Sequence, residues 1–111
     1  MQIDELNSYV KLFDTYGKLL SKKQFEVMDK FLNYNLSETE LAELENGSRQ
    51  SVHDAISKAK KQLLEFESKC EIVKSKELAV LKLNEVKAFL NEQNQECSKI
   101  IDLIDDVLNN L

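Results

Sequence analysis

Residues 45–61, ENGSRQSVHDAISKAKK, contain the signals that decide the fold. Gly47 interrupts two helical patterns. Ser48 is a predicted N-cap, because a serine hydroxyl accepts a hydrogen bond from the free backbone N–H groups at a helix start. Arg49, the only arginine in the chain, follows at once. The stretch therefore predicts that one helix ends and another begins within about three residues.

The helix before this turn begins in LSETEL, residues 36–41. Ser37 occupies its N-cap and Glu40 its third position, the arrangement of a capping box. A short helix ending at the turn, followed by a second capped helix, is typical of a helix-turn-helix. The residues expected to face inward on the first of these helices are Leu41, Ala42 and Leu44.

Two more helices are predicted in the first third of the chain. Gly17 is expected to end the first of them, because glycine adopts a positive φ at little cost. Ser21 and Gln24 form a second capping box that starts the next helix. The expected inward faces are Ile3, Leu6, Val10, Phe13, Tyr16 and Leu20 on the first helix, and Phe25, Met28, Phe31 and Leu32 on the second.

The helix that begins at Ser48 is predicted to be long. Its apolar residues alternate in steps of four and three, which is typical of a packing seam. They are Val52, Ile56, Ala59, Leu63, Phe66, Cys70 and Val73. A helix-turn-helix cannot cover a seam of this length, so we expect its far half to pack on helices further along the chain or on a second chain.

Two C-terminal helices, over residues 76–91 and 96–111 and separated by the polar NEQNQE, are the expected cover. The apolar stripe of the last helix is wider than one neighbour requires, which favours a homodimer. The alternative is a monomer in which the three C-terminal segments pack together. We therefore predict a helix-turn-helix domain at 1–74 and a C-terminal, dimerising extension at 75–111.

Composition limits the class of protein. The chain has 111 residues, no proline and two glycines, so it has little turn chemistry and an all-α fold is expected. No apolar run approaches the 18 or so residues that span a bilayer, and the acidic start lacks a signal peptide, so we expect a cytoplasmic protein. Cys70 and Cys97 lack metal-ligand spacing and are expected as small buried apolar side chains; no cofactor or metal is predicted.

Charge is distributed unevenly along the chain. The net charge is −5. Residues 1–47 carry −4 and residues 88–111 carry −4, whereas residues 48–87 hold nine basic and six acidic side chains and carry +3. The positive block therefore begins at the predicted second helix of the helix-turn-helix, a weak and local version of the basic surface of nucleic-acid-binding proteins.

The candidate nucleic-acid-binding residues lie on that helix, since the second helix of a helix-turn-helix enters the major groove. Arginine pairs with guanine or phosphate, and glutamine with adenine. Lysines further along the helix are predicted to contact the phosphate backbone. Ser21, Lys22 and Lys23, at the start of another helix, are a predicted additional phosphate contact. Asp54 lies in the same stripe and opposes binding. The candidates are Arg49, Gln50, His53, Ser57, Lys58 and Lys61.

Capped helices with a glycine turn also serve as plain scaffold, so the spacing leaves this alternative open. An enzyme is not predicted, because the chain has no nucleophile–base pair at useful spacing and no glycine-rich phosphate loop. His53 is expected to be solvated or to face the groove.

LFDTYGKLLSKKQ followed by LSETELAELENGSRQSVHDAI resembles the YlxM family of small bacterial proteins, over about residues 6–70. The most specific parts are YGKLLSKKQ (residues 16–24) and Ser48-Arg49-Gln50 with Val52. His53 and Ala55 depart from the pattern, where the family usually has tyrosine and asparagine. The family is similar to region 4 of bacterial sigma factors, so the resemblance implies an all-α helix-turn-helix with a long recognition helix and a C-terminal helical extension.

The resemblance also implies an association with the signal recognition particle and its GTPase. Two hypotheses about function follow. The chain is a dimeric regulator that binds double-stranded DNA, or it is an accessory protein that binds the particle's RNA or GTPase and uses the helix-turn-helix as scaffold. A third possibility is a structural dimer without a nucleic-acid role.

Overall fold

The computed structural model describes residues 2–93 and 97–111, which contain α-helices and no strand. The predicted all-α fold is confirmed. The helices are α1 (Ile3–Tyr16), α2 (Lys22–Asn33), α3 (Glu38–Leu44), α4 (Arg49–Cys70), α5 (Ile72–Gln93) and α6 (Ser98–Asn110), with a short 3₁₀ turn, Gly17–Leu19, after α1.

The helix starts follow the capping signals. The Ser48 hydroxyl accepts a hydrogen bond from the Ser51 N–H at 3.0 Å, so α4 begins directly after the turn. Both capping boxes contain both of their reciprocal bonds, the first between Ser21 and Gln24 and the second between Ser37 and Glu40. Since these bonds join residues only three apart, local sequence was sufficient to place the starts of α2, α3 and α4.

The chain divides into two units, Met1–Glu71 and Ile72–Leu111. In the first unit α4 packs against α1, α2 and α3, so it is the central helix of that unit. Ala59 and Leu63 on α4 are fully buried, as are Met28 on α2 and Leu41 on α3. Their burial removes apolar surface from water, which is the main stabilising contribution to a unit of this size.

A buried tyrosine links the first helix to the C-terminal end of α4. Tyr16, 2% exposed, donates its phenol hydrogen to Glu67 Oε1 at 2.5 Å. The Phe13 ring meets the Phe25 ring edge-on at 4.9 Å between centroids, which joins α1 to α2. These contacts fix how α1 and α2 lie on α4, and with them the surface that α4 presents.

Gly17 ends α1 as predicted, but not with the predicted backbone conformation. Gly17 has a φ of −53° rather than a positive value. A Cβ atom there would lie 3.1 Å from the Phe13 ring, so a larger residue requires that ring to move by a few tenths of an ångström. At the turn before α4, Asn46 adopts the left-handed conformation, with φ 53°, and the Gly47 N–H bonds the Ala42 carbonyl at 3.0 Å. The short polar side chain of asparagine tolerates this conformation, so the turn does not depend on a positive φ at Gly47.

The seam predicted from Val52 to Val73 is too long. The helix α4 ends at Cys70, Glu71 is left-handed with φ 51°, and Val73 belongs to α5. Burial along α4 ends at Leu63. For this reason Cys70 is exposed rather than buried as predicted. Cys97, at the start of α6, is half-buried, so its predicted burial is also wrong. Two other expected inward residues, Ile3 and Leu44, are also exposed.

The second unit consists of α5 packed against α6. Ile104 on α6 is buried, and the Lys87 ammonium lies 2.7 Å from the Asp105 carboxylate. The helix α5 begins at Ile72, four residues before its predicted start, and extends to Gln93. Part of the predicted polar break, residues 94–96, lies outside the described residues.

Candidate nucleic-acid interface

All six candidate residues lie on α4 and are exposed to solvent. The opposite side of the same helix carries Val52, Ile56 and Ala59 into the core. Since α4 is held by its buried side against three other helices, its outer side is presented on a rigid support. The surface beside α4 contains two separate hollows, and the structure divides the candidate residues between them.

The first hollow is the α3–α4 hollow, lined by Glu38, Arg49, Gln50 and His53. Glu38 Oε1 lies 2.9 Å from His53 Nδ1, and because a carboxylate only accepts, the imidazole donates this bond. Glu38 Oε2 lies 3.9 Å from Arg49 Nε. The Glu38 carboxylate of α3 therefore lies next to two candidate base-contacting side chains of α4, Arg49 and His53.

Gln50 has an acidic partner as well. Its Nε2 donates to Asp54 Oδ1 at 2.9 Å, one turn further along α4. As a result Arg49, Gln50 and His53 all have carboxylate partners within the chain. A nucleic acid that contacts these side chains has to replace or share those partners, so the net free energy gained from each contact is reduced.

The second hollow is the α2–α4 cleft, which is open to solvent. Lysines from two helices border it, together with serine hydroxyls and one carboxylate. Its lining residues are Ser21, Lys23, Gln24, Ser51, Asp54, Ala55, Ser57, Lys58 and Lys61. Lysine ammonium and serine hydroxyl groups are among the side-chain groups that contact nucleic-acid phosphates.

The lysines near the middle of α4 are not equivalent. Lys58 and Lys61 line the cleft, whereas the Lys60 ammonium lies over the rings of Tyr9 and Phe31, at 5.0 and 5.5 Å from their centroids. Lys60 therefore stabilises the packing of α1 and α2 on α4 through cation–π contacts. The basic run at 58–61 contributes two lysines, not three, to the candidate interface.

The sequence alone does not place Glu38 at this surface. It predicts Glu38 only as part of the start of α3, whereas packing brings its carboxylate to His53 and Arg49 on α4. Of the three residues predicted as an additional phosphate contact, Ser21 and Lys23 line the cleft and Lys22 does not. No spacing rule links position 38 to 53, or 23 to 58, because these pairs meet only after the helices pack.

The described part of the chain offers neither a metal centre nor a membrane-spanning helix. Within residues 2–93 and 97–111, no group of three or more histidine, cysteine or acidic side chains is placed to hold a metal ion. No helix among these residues is both long and apolar enough to cross a membrane.

The short capped α3, the tight turn and the exposed outer side of α4 define a helix-turn-helix protein. Comparison with known families agrees, since residues 3–108 match the family described as "Putative helix-turn-helix protein, YlxM / p13 like". The chain belongs to this family, as the sequence resemblance predicted.

Relatives of similar length support the assignment. A UPF0122 protein of Clostridium perfringens is 36% identical over 97 residues, with 87% of each chain covered. A UPF0122 protein of Clostridium novyi is 33% identical over 99 residues, covering 83% of this chain and 85% of its own. One of Acetivibrio thermocellus is 33% identical over 111 residues, covering 94% and 93%.

Proposed function

We propose that this protein is a non-enzymatic, cytoplasmic regulator that binds double-stranded DNA through the outer side of α4. The observation that carries the proposal is the placement of all six candidate residues on one exposed helix whose other side is locked into the core. The second helix of a helix-turn-helix docks in the major groove in this way, with its first residues at the base edges.

Each residue has a role that follows from its chemistry. Arg49 and Gln50, in the first turn, contact base edges or the nearest phosphate. His53 and Ser57 lie one and two turns further along and hydrogen-bond in the groove, and Lys58 and Lys61 contact backbone phosphates. With so few basic side chains and with acidic partners on the first turn, binding is weak. It falls as salt rises, with a slope of log affinity against log salt of about 0.9 for each phosphate contacted.

The test is the affinity of Arg49→Ala for a mixed-sequence duplex, measured by fluorescence anisotropy at low salt. We expect a loss of about 1–3 kcal/mol, or roughly five- to 150-fold. The matched control is Lys69→Ala, which removes one positive charge from the last turn of the same helix. It is expected to leave affinity nearly unchanged. If the wild-type protein binds no duplex at low salt, the proposal is wrong.

We further propose that the regulator is a homodimer joined through the unit Ile72–Leu111. Apolar residues of α5 lie on two opposite sides, and only one side packs on α6. Eight large apolar side chains of this unit are 46–60% exposed, namely Ile72, Leu78, Leu81, Val86, Phe89, Ile100, Leu103 and Val107. Two such helical pairs together form a four-helix bundle, which buries apolar faces that two helices alone leave in water.

A second candidate function uses the same exposed faces. An accessory protein of the signal recognition particle would bind the particle's RNA or GTPase through α5 and α6, with the helix-turn-helix as scaffold. Capture of purified particle components by the full chain tests this function. Capture that survives Arg49→Ala but is lost with Leu81→Lys and Phe89→Lys would favour it over DNA binding.

A further inference from the structure

We propose that the α2–α4 cleft is a binding site for a backbone phosphate of the nucleic acid, and that Lys23 on α2 is one of its ligands. The inference rests on the proposed DNA binding and extends the interface beyond the helix-turn-helix. It assigns a phosphate contact to α2, which neither the spacing of the turn nor the charge of α4 identifies.

The first argument is the chemistry of the two walls. Lys23 and Ser21 line the cleft from the side of α2. Ser51, Ser57, Lys58 and Lys61 line it from α4. Three ammonium groups and three hydroxyls facing one open cleft can donate hydrogen bonds to a phosphodiester from both sides, whereas a base edge would require a mixture of donors and acceptors.

The second argument is the difference between the two hollows. Arg49 and His53, in the α3–α4 hollow, share the Glu38 carboxylate. The one carboxylate in the α2–α4 cleft, Asp54, accepts a hydrogen bond from Gln50. The cleft thus has a positive balance of three lysines to one carboxylate, and the incoming phosphate meets more uncompensated positive charge there than at the start of α4.

The third argument is accessibility. The lysines and serines of the cleft are exposed on the surface, and the cleft is not an enclosed cavity. An open cleft suits a continuous polymer backbone, which needs room to enter and leave on both sides. A small anion would instead be held by buried donors.

The experiment compares Lys23→Gln with Lys22→Gln in the full chain. The two lysines are neighbours and both are exposed, but only Lys23 lines the cleft. Binding of a mixed-sequence duplex about two helical turns long is measured by anisotropy between about 50 and 200 mM NaCl. Circular dichroism melts verify that both variants are folded.

Lys23→Gln is expected to weaken binding roughly threefold or more and to reduce the slope of log affinity against log salt by about 0.9, the change for one lost phosphate contact. Lys22→Gln is expected to leave the slope unchanged. The loss should be the same for two duplexes of different sequence, since a phosphate contact carries no base preference.

Equal effects of Lys22→Gln and Lys23→Gln would overturn the inference, because they would show only the general charge of α2. If Arg49→Ala nevertheless weakens duplex binding, the proposed DNA binding remains supported. Absence of duplex binding by the wild-type protein overturns both. A loss that depends on base sequence would also overturn the phosphate assignment.

Discussion

Glu38 on α3 contacts two of the candidate side chains at the start of α4. Its side chain is 25% exposed and meets His53 and Arg49, which are 55% and 75% exposed. A surface ion pair of this kind contributes little to folding. Its consequence for binding is greater, because the carboxylate occupies the side chains that an incoming phosphate or base would otherwise contact.

We therefore predict that Glu38→Gln strengthens duplex binding. The amide still accepts a hydrogen bond from His53, while the negative charge beside Arg49 is removed. Roughly two- to fivefold tighter binding is expected at low salt, the scale of an exposed ion pair. Anisotropy titrations of wild type and variant measure it.

The control for this variant is Glu43→Gln, which removes an equal charge from an exposed position on α3 outside the hollow. A double variant with Arg49→Ala should abolish most of the gain from Glu38→Gln. Equal gains from Glu38→Gln and Glu43→Gln would mean that only the total charge of the protein matters.

At the level of the elements, α4 has two functions on opposite sides. Its inner side, including Val52, Ile56 and Leu63, forms the centre of the first unit. Its outer side presents the candidate interface. A change that loosens the inner side therefore alters the position of the outer side, even when no surface residue is replaced.

The element-scale prediction is that Leu63→Ala destabilises the protein by about 2–5 kcal/mol, because Leu63 is fully buried and its truncation leaves a cavity. The free energy of unfolding is measured by urea denaturation followed by circular dichroism. Leu64→Ala is the matched control, since Leu64 is the next residue and is 50% exposed. A change within about 0.5 kcal/mol is expected for it. Similar losses for the two variants would contradict the central position of α4.

The helix α5 differs from α4 in how it uses its apolar residues. Val80, Leu83 and Leu90 are half-buried in the pairing with α6, whereas Leu81 and Phe89 lie on the other side in solvent. A helix that is apolar on two sides is normally buried on both. Apolar residues on two sides also give α5 a less regular apolar spacing than a helix with one buried face.

At the scale of the whole molecule, the proposed homodimer predicts the molecular mass of the protein in solution. Light scattering after size-exclusion chromatography should give about twice the 12.8 kDa of one chain. The double variant Leu81→Lys and Phe89→Lys should have the mass of a single chain and remain helical. The reason is that burying lysine ammonium groups in the proposed interface is energetically costly.

Leu19→Lys serves as the control for the dimer, since Leu19 is 63% exposed but belongs to the first unit. It is expected to leave the mass of the wild type unchanged. A wild-type protein that runs as a single chain at micromolar concentration would refute the proposal. A dimer also presents two copies of α4, so a loss of duplex affinity in the monomeric variant is the expected consequence of lost bivalency.

Prediction from sequence succeeded where the physics is local. The starts of α2, α3 and α4 depend on serine side chains that bond backbone groups three residues away, so a short stretch contains the whole signal. It failed at the end of α4, because the alternation of apolar residues continues through Cys70 to Val73 although the backbone turns at Glu71. The spacing of apolar residues identifies the apolar face of a helix. It does not show how far along the helix that face is packed against other helices.

The sequence by itself determined the all-α class, the capped helices and the family, since composition, capping and motif are properties of neighbouring residues. Only the tertiary structure decided which charged side chains lie close together. Packing of α3 on α4 brings Glu38 to Arg49 and His53, and packing of α2 on α4 brings Lys23 to the cleft of Lys58 and Lys61. Those contacts join residues 11 to 38 positions apart, and the distance between such side chains is set by the buried core that holds the helices together.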